Sequence, residues 1–209
     1  MKYESIIFDI DGTLWDSRAL VAEGYNIQLR KENLHHLQTN ADVLLQLFGR
    51  TMADIADNLF PELPEQERYA LMDRCMEAEH REMEQDPCRI AFPGVVETLE
   101  KLAQNHNLFI VSNSQQGYPE LTMRKMGIGH LIRATLCYGD TGKRKGQTIL
   151  QLMKEQGMDS ALYIGDTQGD YEATLEAGIP FVYCTYGFGN PADWAAKIDS
   201  FPELLELEL

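Results

Sequence analysis

Two carboxylates stand two residues apart near the start of the chain, in Asp9-Ile10-Asp11-Gly12-Thr13, directly after the apolar run Ile6-Ile7-Phe8. Acids at such spacing on an extended segment point to the same side. One can attack an electrophile while the other, near but beyond direct attack, moves a proton. Much later come Ser112-Asn113, then Lys143-Arg144-Lys145, then Gly165-Asp166-Thr167-Gln168-Gly169-Asp170. Brought together, these residues would offer carboxylates for a hard cation such as Mg²⁺, with an ammonium and a hydroxyl for phosphoryl oxygens, which is the inventory of phosphoryl transfer. Each signal also has a plain structural reading. Ser112-Asn113 could end a strand in a turn, Thr167 to Asp170 has the spacing of a helix capping box, and the basic run could be a solvated patch.

The elements around these residues decide whether they can meet. The Ile6-Ile7-Phe8 run suits a strand buried on both faces, within Tyr3 to Ile10, and Asp11-Gly12 marks the turn after it. From Asp16 to about Asp86 no strand pattern is found. Helix starts are marked there by Ser17, by Asn40, by the capping box Thr51-Met52-Ala53-Asp54 and by Pro64, which opens a charged amphipathic run to Glu84. After Pro93, which fits a helix's first turn, Val96, Leu99, Leu102 and Ala103 recur at helical spacing, and Leu108-Phe109-Ile110-Val111 reads as a buried strand ending at Ser112. Alternation continues with a helix over Leu121 to Met126, a short strand around Thr135 to Tyr138, and a helix from Gly146 to Gln156 stopped by Gly157. The strand Ala161 to Ile164, a helix stopped by Gly178, the strand Phe181 to Cys184 and a last helix from Ser200-Phe201-Pro202 follow. Strands alternating with helices predict an α/β fold, a doubly wound parallel sheet with helices on both faces, interrupted by a helical block. In such a sheet ligands bind beyond the carboxyl ends of the strands, where Asp9, Asp11, Ser112, Asn113, the basic run, Asp166 and Asp170 all fall.

Taken in order, Asp9-Ile10-Asp11-Gly12-Thr13, Ser112-Asn113 after a strand, a lysine, and Gly165-Asp166-Thr167-Gln168-Gly169-Asp170 resemble the four motifs of the haloacid dehalogenase superfamily. The helical block between the first and second is similar to that family's C1-type cap. Leu14-Trp15-Asp16-Ser17 and Thr185-Tyr186-Gly187-Phe188-Gly189 bring the chain nearest to the phosphoglycolate phosphatase-like branch, and the resemblance covers nearly the whole chain. It implies a Rossmann-like core over residues 1–15 and 91–209 and a cap over 16–90. It also implies a Mg²⁺-dependent phosphatase working through an aspartyl-phosphate, on a small phosphorylated metabolite of which phosphoglycolate is the first to consider. Asp9 would be nucleophile and metal ligand. Asp11 would be the acid and base, its backbone carbonyl also on Mg²⁺. Asp166 would bind the metal directly, and Asp170 through water on the metal or by holding the lysine. Ser112, the amide of Asn113 and Lys145 would bind phosphate, with Thr13 counted among them as the residue fixing the first loop. Here Lys145 precedes Gly146 where the family usually has Pro, so Lys143 stays open as an alternative; Lys145 is preferred because the following helix starts there. In the cap, Gly49-Arg50 interrupts an apolar helical run, a turn able to present Arg50 to substrate, although an exposed loop arginine would look the same.

Bulk properties set the boundaries. A net charge of −15 at pH 7 repels phosphate backbones and anionic lipid, which argues against nucleic acid and membrane partners. Cys75, Cys88, Cys137 and Cys184 form no Cys-x-x-Cys pair and read as reduced thiols of a cytoplasmic protein. The apolar run at the start is too short for a signal segment, and no stretch is long enough to span a bilayer. His35 and His36 are adjacent and cannot share one helix face, so a solvated position is expected rather than a metal site; Trp15 and Tyr25 read as packing residues. The assembly is expected to be a monomer or homodimer. Two other functions fit the same motifs: a sugar phosphomutase of the β-phosphoglucomutase type, differing only in the cap, and a catalytically silent binding protein, which should have lost the motif acids. Asp11 argues against an alkyl-halide dehalogenase, which has no alkoxide to protonate.

Overall fold

The computed structural model describes residues 3–85 and 90–208. Cys88 lies outside the described residues, as does the end point near Asp86 expected for the helical block. The chain divides into two compact units, Met1–Asp16 with Ile90–Leu209, and Ser17–Arg89. In chain order the elements are β1 (Ser5–Phe8), α1 (Arg18–Lys31), α2 (Ala41–Leu45), α3 (Met52–Leu59), α4 (Glu65–Gln85), α5 (Val95–Leu102), β2 (Asn107–Ser112), α6 (Tyr118–Met126), β3 (Ile132–Cys137), α7 (Tyr138–Thr141), α8 (Lys145–Gln156), β4 (Ala161–Gly165), α9 (Gln168–Ala177), β5 (Phe181–Cys184), β6 (Ala196–Ile198) and a closing 3-10 helix, Phe201–Glu206.

The first unit is a six-stranded sheet in the order β3-β2-β1-β4-β5-β6, every pairing parallel. β1 lies between β2 and β4, with Ile7 opposite both Phe109 and Tyr163. From β1 the sheet is extended by β2 and β3 on one side and by β4, β5 and β6 on the other, and this reversal of winding is the switch point where such sheets open a crevice at their carboxyl edge. Both faces are covered. Ile7, Phe109, Val111, Tyr163, Phe181 and Tyr183 pack with Ile149 and Leu152 of α8 and Ala173 of α9. Ile6, Phe8, Leu108, Ile110, Leu162 and Ile164 fill the other face, where Phe8 meets Phe201 at 5.8 Å between ring centroids. Burial on two sides explains why these strands read as unbroken apolar runs. Each such large side chain contributes roughly 1.5–3 kcal/mol of transfer free energy.

Where the fold differs from expectation, the sheet edges account for it. β3 starts at Ile132 rather than near Thr135, but its residues up to Leu136 are half-buried or exposed, so it carries no apolar run; Tyr138 opens α7 instead of ending the strand. β6, a three-residue edge strand, has too few residues to show a period. The closing element is 3-10 rather than α, and Pro93 sits in the turn ahead of α5, whose N-cap is Gly94 at φ 77°. Gly157 and Gly178 end α8 and α9 in the left-handed conformation, as glycine permits.

The second unit is helical. Asn40 Oδ1 accepts from the amides of Asp42 and Val43 to start α2, and Thr51 Oγ1 accepts from the Asp54 amide to start α3. Ser17 precedes α1 without a side-chain cap bond. α1 and α4 approach so closely at Gly24 that a Cβ there would lie 2.4 Å from Glu79 Cα. Arg74 binds Glu32 through two bonds, 2.6 and 2.8 Å, tying the end of α1 to α4. His36 pairs with Glu62 at 2.7 Å on the surface. Among the described residues, no helix is long and apolar enough to cross a membrane.

Candidate active site

Asp9 leaves the central strand with its amide still paired to Ile164 O of β4 at 2.9 Å. Next, the amides of Thr13, Leu14 and Trp15 all reach back to Ile10 O, and the Gly12 amide donates to Trp15 O. This tight turn needs Gly12 at φ 83°, and a Cβ there would lie 2.2 Å from Asp166 Oδ2. It folds Trp15 over Asp11. Asp166 follows β4, Asp170 lies in the first turn of α9, and Lys145 is the first residue of α8. The sheet order brings these residues together although the sequence separates Lys145 from Asp9 by 136 positions.

Lys145 is buried, and its Nζ stands 2.9 Å from Asp9 Oδ1 and 2.6 Å from Asp170 Oδ1. Lys143 instead reaches the exposed side of α8, donating to Gln151 Oε1 at 2.8 Å. The geometry therefore favours Lys145 of the two lysines. Asp170 performs both tasks between which the sequence left a choice. Its Oδ2 accepts the Asp166 amide, the Thr167 amide and the Thr167 hydroxyl, capping α9, while Oδ1 holds Lys145. With both oxygens so engaged, holding the lysine is the role this geometry supports.

Asp166 is fully buried between glycines of two loops. Its Oδ2 accepts the Phe188 amide at 2.6 Å and its Oδ1 lies 3.4 Å from the Thr13 hydroxyl. A Cβ at Gly187 would come within 2.3 Å of Asp166 Cβ. Thr13, expected to fix the first loop and counted with the phosphate binders, is wholly buried, with its carbonyl accepting from Tyr186 Oη at 2.9 Å. Ser112 ends β2, buried, and its Oγ accepts the Ser114 amide at 3.2 Å; Asn113 follows, half-buried. Asp11 Oδ1 takes two donors, Trp15 Nε1 at 2.9 Å and Tyr118 Oη at 2.8 Å. Arg50 belongs to the helical unit, exposed, just after Gly49 at φ 84°.

Carboxylate oxygens of Asp9, Asp166 and Asp170 all lie within 4.8 Å of one another. Three buried acids face one buried ammonium, and the surplus negative charge shows in their proton affinities. Burial pushes Asp9 up to about 7; Lys145 works against the rise, and Asp170 and Asp11 add to it. Asp166 is held well above the carboxylate range by burial and by Asp170 and Asp9. Burial works in the same direction at Asp170, yet Lys145 and the Thr167 donors outweigh it and keep that group low. Lys145 is raised because, although burial disfavours its charge, Asp170 and Asp9 more than compensate. A small hard dication fits this set: the donors are oxygens, and the uncompensated charge is what such an ion neutralises.

Sequence reasoning missed Tyr118, Tyr163, Tyr186 and the Phe188 amide, and it gave Trp15 only a packing role. Trp15 is fully buried, and its indole N–H serves the site as well. Tyr163 Oη, 2.9 Å from Val111 O and 3.3 Å from Asp170 Oδ1, was hidden inside an apolar strand. Only the Tyr186-Gly187-Phe188-Gly189 segment carried a signal, in its paired glycines.

Comparison with known proteins places this arrangement in context. The family description haloacid dehalogenase-like hydrolase matches residues 6–184. A phosphoglycolate phosphatase of Agrobacterium fabrum is 28% identical over 194 residues, covering 87% of this chain and 80% of that one. A pyrophosphatase of Oceanobacillus iheyensis is 26% identical, covering 86% and 82%. Among solved structures, a haloacid dehalogenase-like family hydrolase from Streptococcus pneumoniae superposes with a TM-score of 0.82 at 19% identity, covering 98% of each chain, a likeness of fold.

Proposed function

Because the chain belongs to the haloacid dehalogenase-like hydrolases, we propose that it is a Mg²⁺-dependent phosphatase of small phosphomonoesters that works through an aspartyl-phosphate on Asp9. The observation that carries this reading is the buried Lys145 bridging Asp9 and Asp170 with Asp166 alongside. Asp9 and Asp166 would hold the cation with the Asp11 carbonyl, and when bound it neutralises charge on the phosphoryl oxygens.

The protein's own groups supply the rest. Lys145 fixes Asp9 Oδ1 and would add positive charge where phosphoryl oxygens arrive, with Ser112 and the Asn113 amide, at the end of β2 beside β1, read as further phosphate contacts. A carboxylate oxygen of Asp9 bonds to phosphorus as the bond to the leaving oxygen breaks, and the Asp11 carboxyl gives that oxygen its proton. Asp11, now a carboxylate, takes a proton from water as the water oxygen bonds to phosphorus. The bond to Asp9 breaks, phosphate leaves, and both acids return to their starting states.

Relatives acting on phosphoglycolate and on pyrophosphate support a small, strongly anionic substrate. Phosphoglycolate is the first compound to test. The helical unit is read as the cap that selects the leaving group, with Arg50 as its candidate contact, and the enzyme as cytoplasmic. The test is phosphate release from a panel of small phosphomonoesters and pyrophosphate, with and without Mg²⁺, for the parent and Asp9→Asn. Release that needs Mg²⁺ and disappears in the variant is the expected result. Release from none of the compounds by the parent overturns the reading.

A further inference from the structure

Tyr118 is the first residue of α6, six positions beyond Ser112, behind Gly117 at φ 85°. It is almost fully buried, and its ring meets that of Trp15 edge to face, centroids 5.8 Å apart and planes at 76°. Both side chains aim their polar atom at one oxygen, Asp11 Oδ1, with Tyr118 Oη at 2.8 Å and Trp15 Nε1 at 2.9 Å. Backbone pairing in the turn brings Trp15 back beside Asp11, but it does not account for Tyr118, 107 positions away, meeting the same oxygen.

We infer that Tyr118 and Trp15 are positioning residues that lock the Asp11 carboxyl and decide which of its oxygens exchanges the proton. The inference rests on the reading of Asp11 as acid and base. An indole N–H has no lone pair and can only donate, so Oδ1 must act as acceptor. A proton on Oδ1 would make it a hydroxyl oxygen, a poorer acceptor for that N–H, and would force the phenol to accept instead of donate, so this pair of partners favours the deliverable proton on Oδ2. The phenol then donates too, and two donors on one oxygen hold the carboxyl in a single orientation. Proton transfer depends on heavy-atom alignment within about half an ångström, so fixing the carboxyl raises kcat without touching substrate. Because Tyr118 opens α6 at the far end of the short connection that begins with Ser112 and Asn113, the proposed phosphate contacts and the proton donor are tied to one segment.

Tyr118→Phe keeps the ring and removes the donor. Phosphate release from an alkyl phosphate, whose alkoxide needs a proton to depart, should fall about 10- to 100-fold in kcat, as losing a hydrogen bond to a charged group implies, with KM within about threefold. Single-turnover release of 4-nitrophenol from its phosphate, a leaving group that needs no proton, should fall less than about threefold. In an Asp11→Asn background the same substitution should change nothing further. Trp15→Phe, which removes the other donor, should reproduce the pattern if Tyr118→Phe folds poorly. Equal losses for both leaving groups, an undiminished loss beside Asp11→Asn, or no loss at all would overturn the inference while leaving the phosphatase reading intact. If the parent hydrolyses nothing, the phosphatase reading falls and this inference with it; if the parent is active and Asp11→Asn equally so, the acid and base role of Asp11 falls, and this inference with it, while the phosphatase reading stands.

Discussion

Replacing Asp9 by Asn should abolish phosphate release and yet make the metal-free protein more stable. The carboxyl of Asp9 is buried, and its proton affinity is raised from 3.8 to about 7, chiefly by burial, with Lys145 compensating only in part. A carboxyl raised on folding binds more protons in the native state than in the unfolded one between those values, so stability falls as pH rises through that window and levels off above it. The full rise corresponds to about 4 kcal/mol against folding above about pH 7. An amide of the same shape carries no charge and escapes that cost. The assay is urea unfolding of both proteins in EDTA. Asp9→Asn should be the more stable at about pH 8, and its advantage should shrink by about 2 kcal/mol at about pH 5.5, where much of the native carboxyl is already neutral. Adding Mg²⁺ should stabilise the parent more than the variant, because a ligand for the native state acts in proportion to its affinity. An advantage that does not change with pH, or a variant less stable than the parent at about pH 8, would refute the reasoning that surplus buried charge is stored at this site.

Lys145→Met should eliminate activity and cost about 3–5 kcal/mol in urea melts at neutral pH, since it strips the only ammonium from the Asp9 and Asp170 carboxylates among the described contacts. Lys143→Gln removes a bond to exposed Gln151 and should change phosphate release less than about twofold in the same assay. Gly12→Ala combines a left-handed backbone with a Cβ 2.2 Å from Asp166 Oδ2; titration calorimetry should show Mg²⁺ affinity falling at least about tenfold, as misplacing a metal ligand does. Thr167→Ala takes the hydroxyl from both the Asp170 amide and Asp170 Oδ2, and thermal melts should report a loss of about 1 kcal/mol.

The fold was legible in the sequence where a residue's type and its local setting were enough. Asp9 and Asp11 follow a run that only a two-sided buried strand explains, and Gly157 and Gly178 stop helices by their own backbone freedom, so the alternation that defines an α/β sheet could be read without coordinates. The helical block between Asp16 and Ile90 declared itself by caps such as Asn40 and Thr51, which are local bonds. Edge elements were harder, because β3 and β6 lack the burial that writes an apolar pattern into a strand.

Choices that rest on contacts between distant segments could not be read in advance. Lys143 and Lys145 are equivalent cations in the sequence; the sheet order turns one to Gln151 at the surface and buries the other against Asp9, 136 positions away. Asp170 had to be either a helix cap or a site residue until the structure showed one oxygen given to each task. Tyr118 and Asp11 lie 107 positions apart, and a tyrosine at a helix start carries no pattern of its own. The sequence by itself determined which functional groups the chain possesses and the strand ends that carry them, since periodicity and turn chemistry are local. Which oxygen meets which donor was decided by the tertiary structure alone, because hydrogen bonds are set at tenths of an ångström and only the parallel order β3-β2-β1-β4 brings those atoms to one edge.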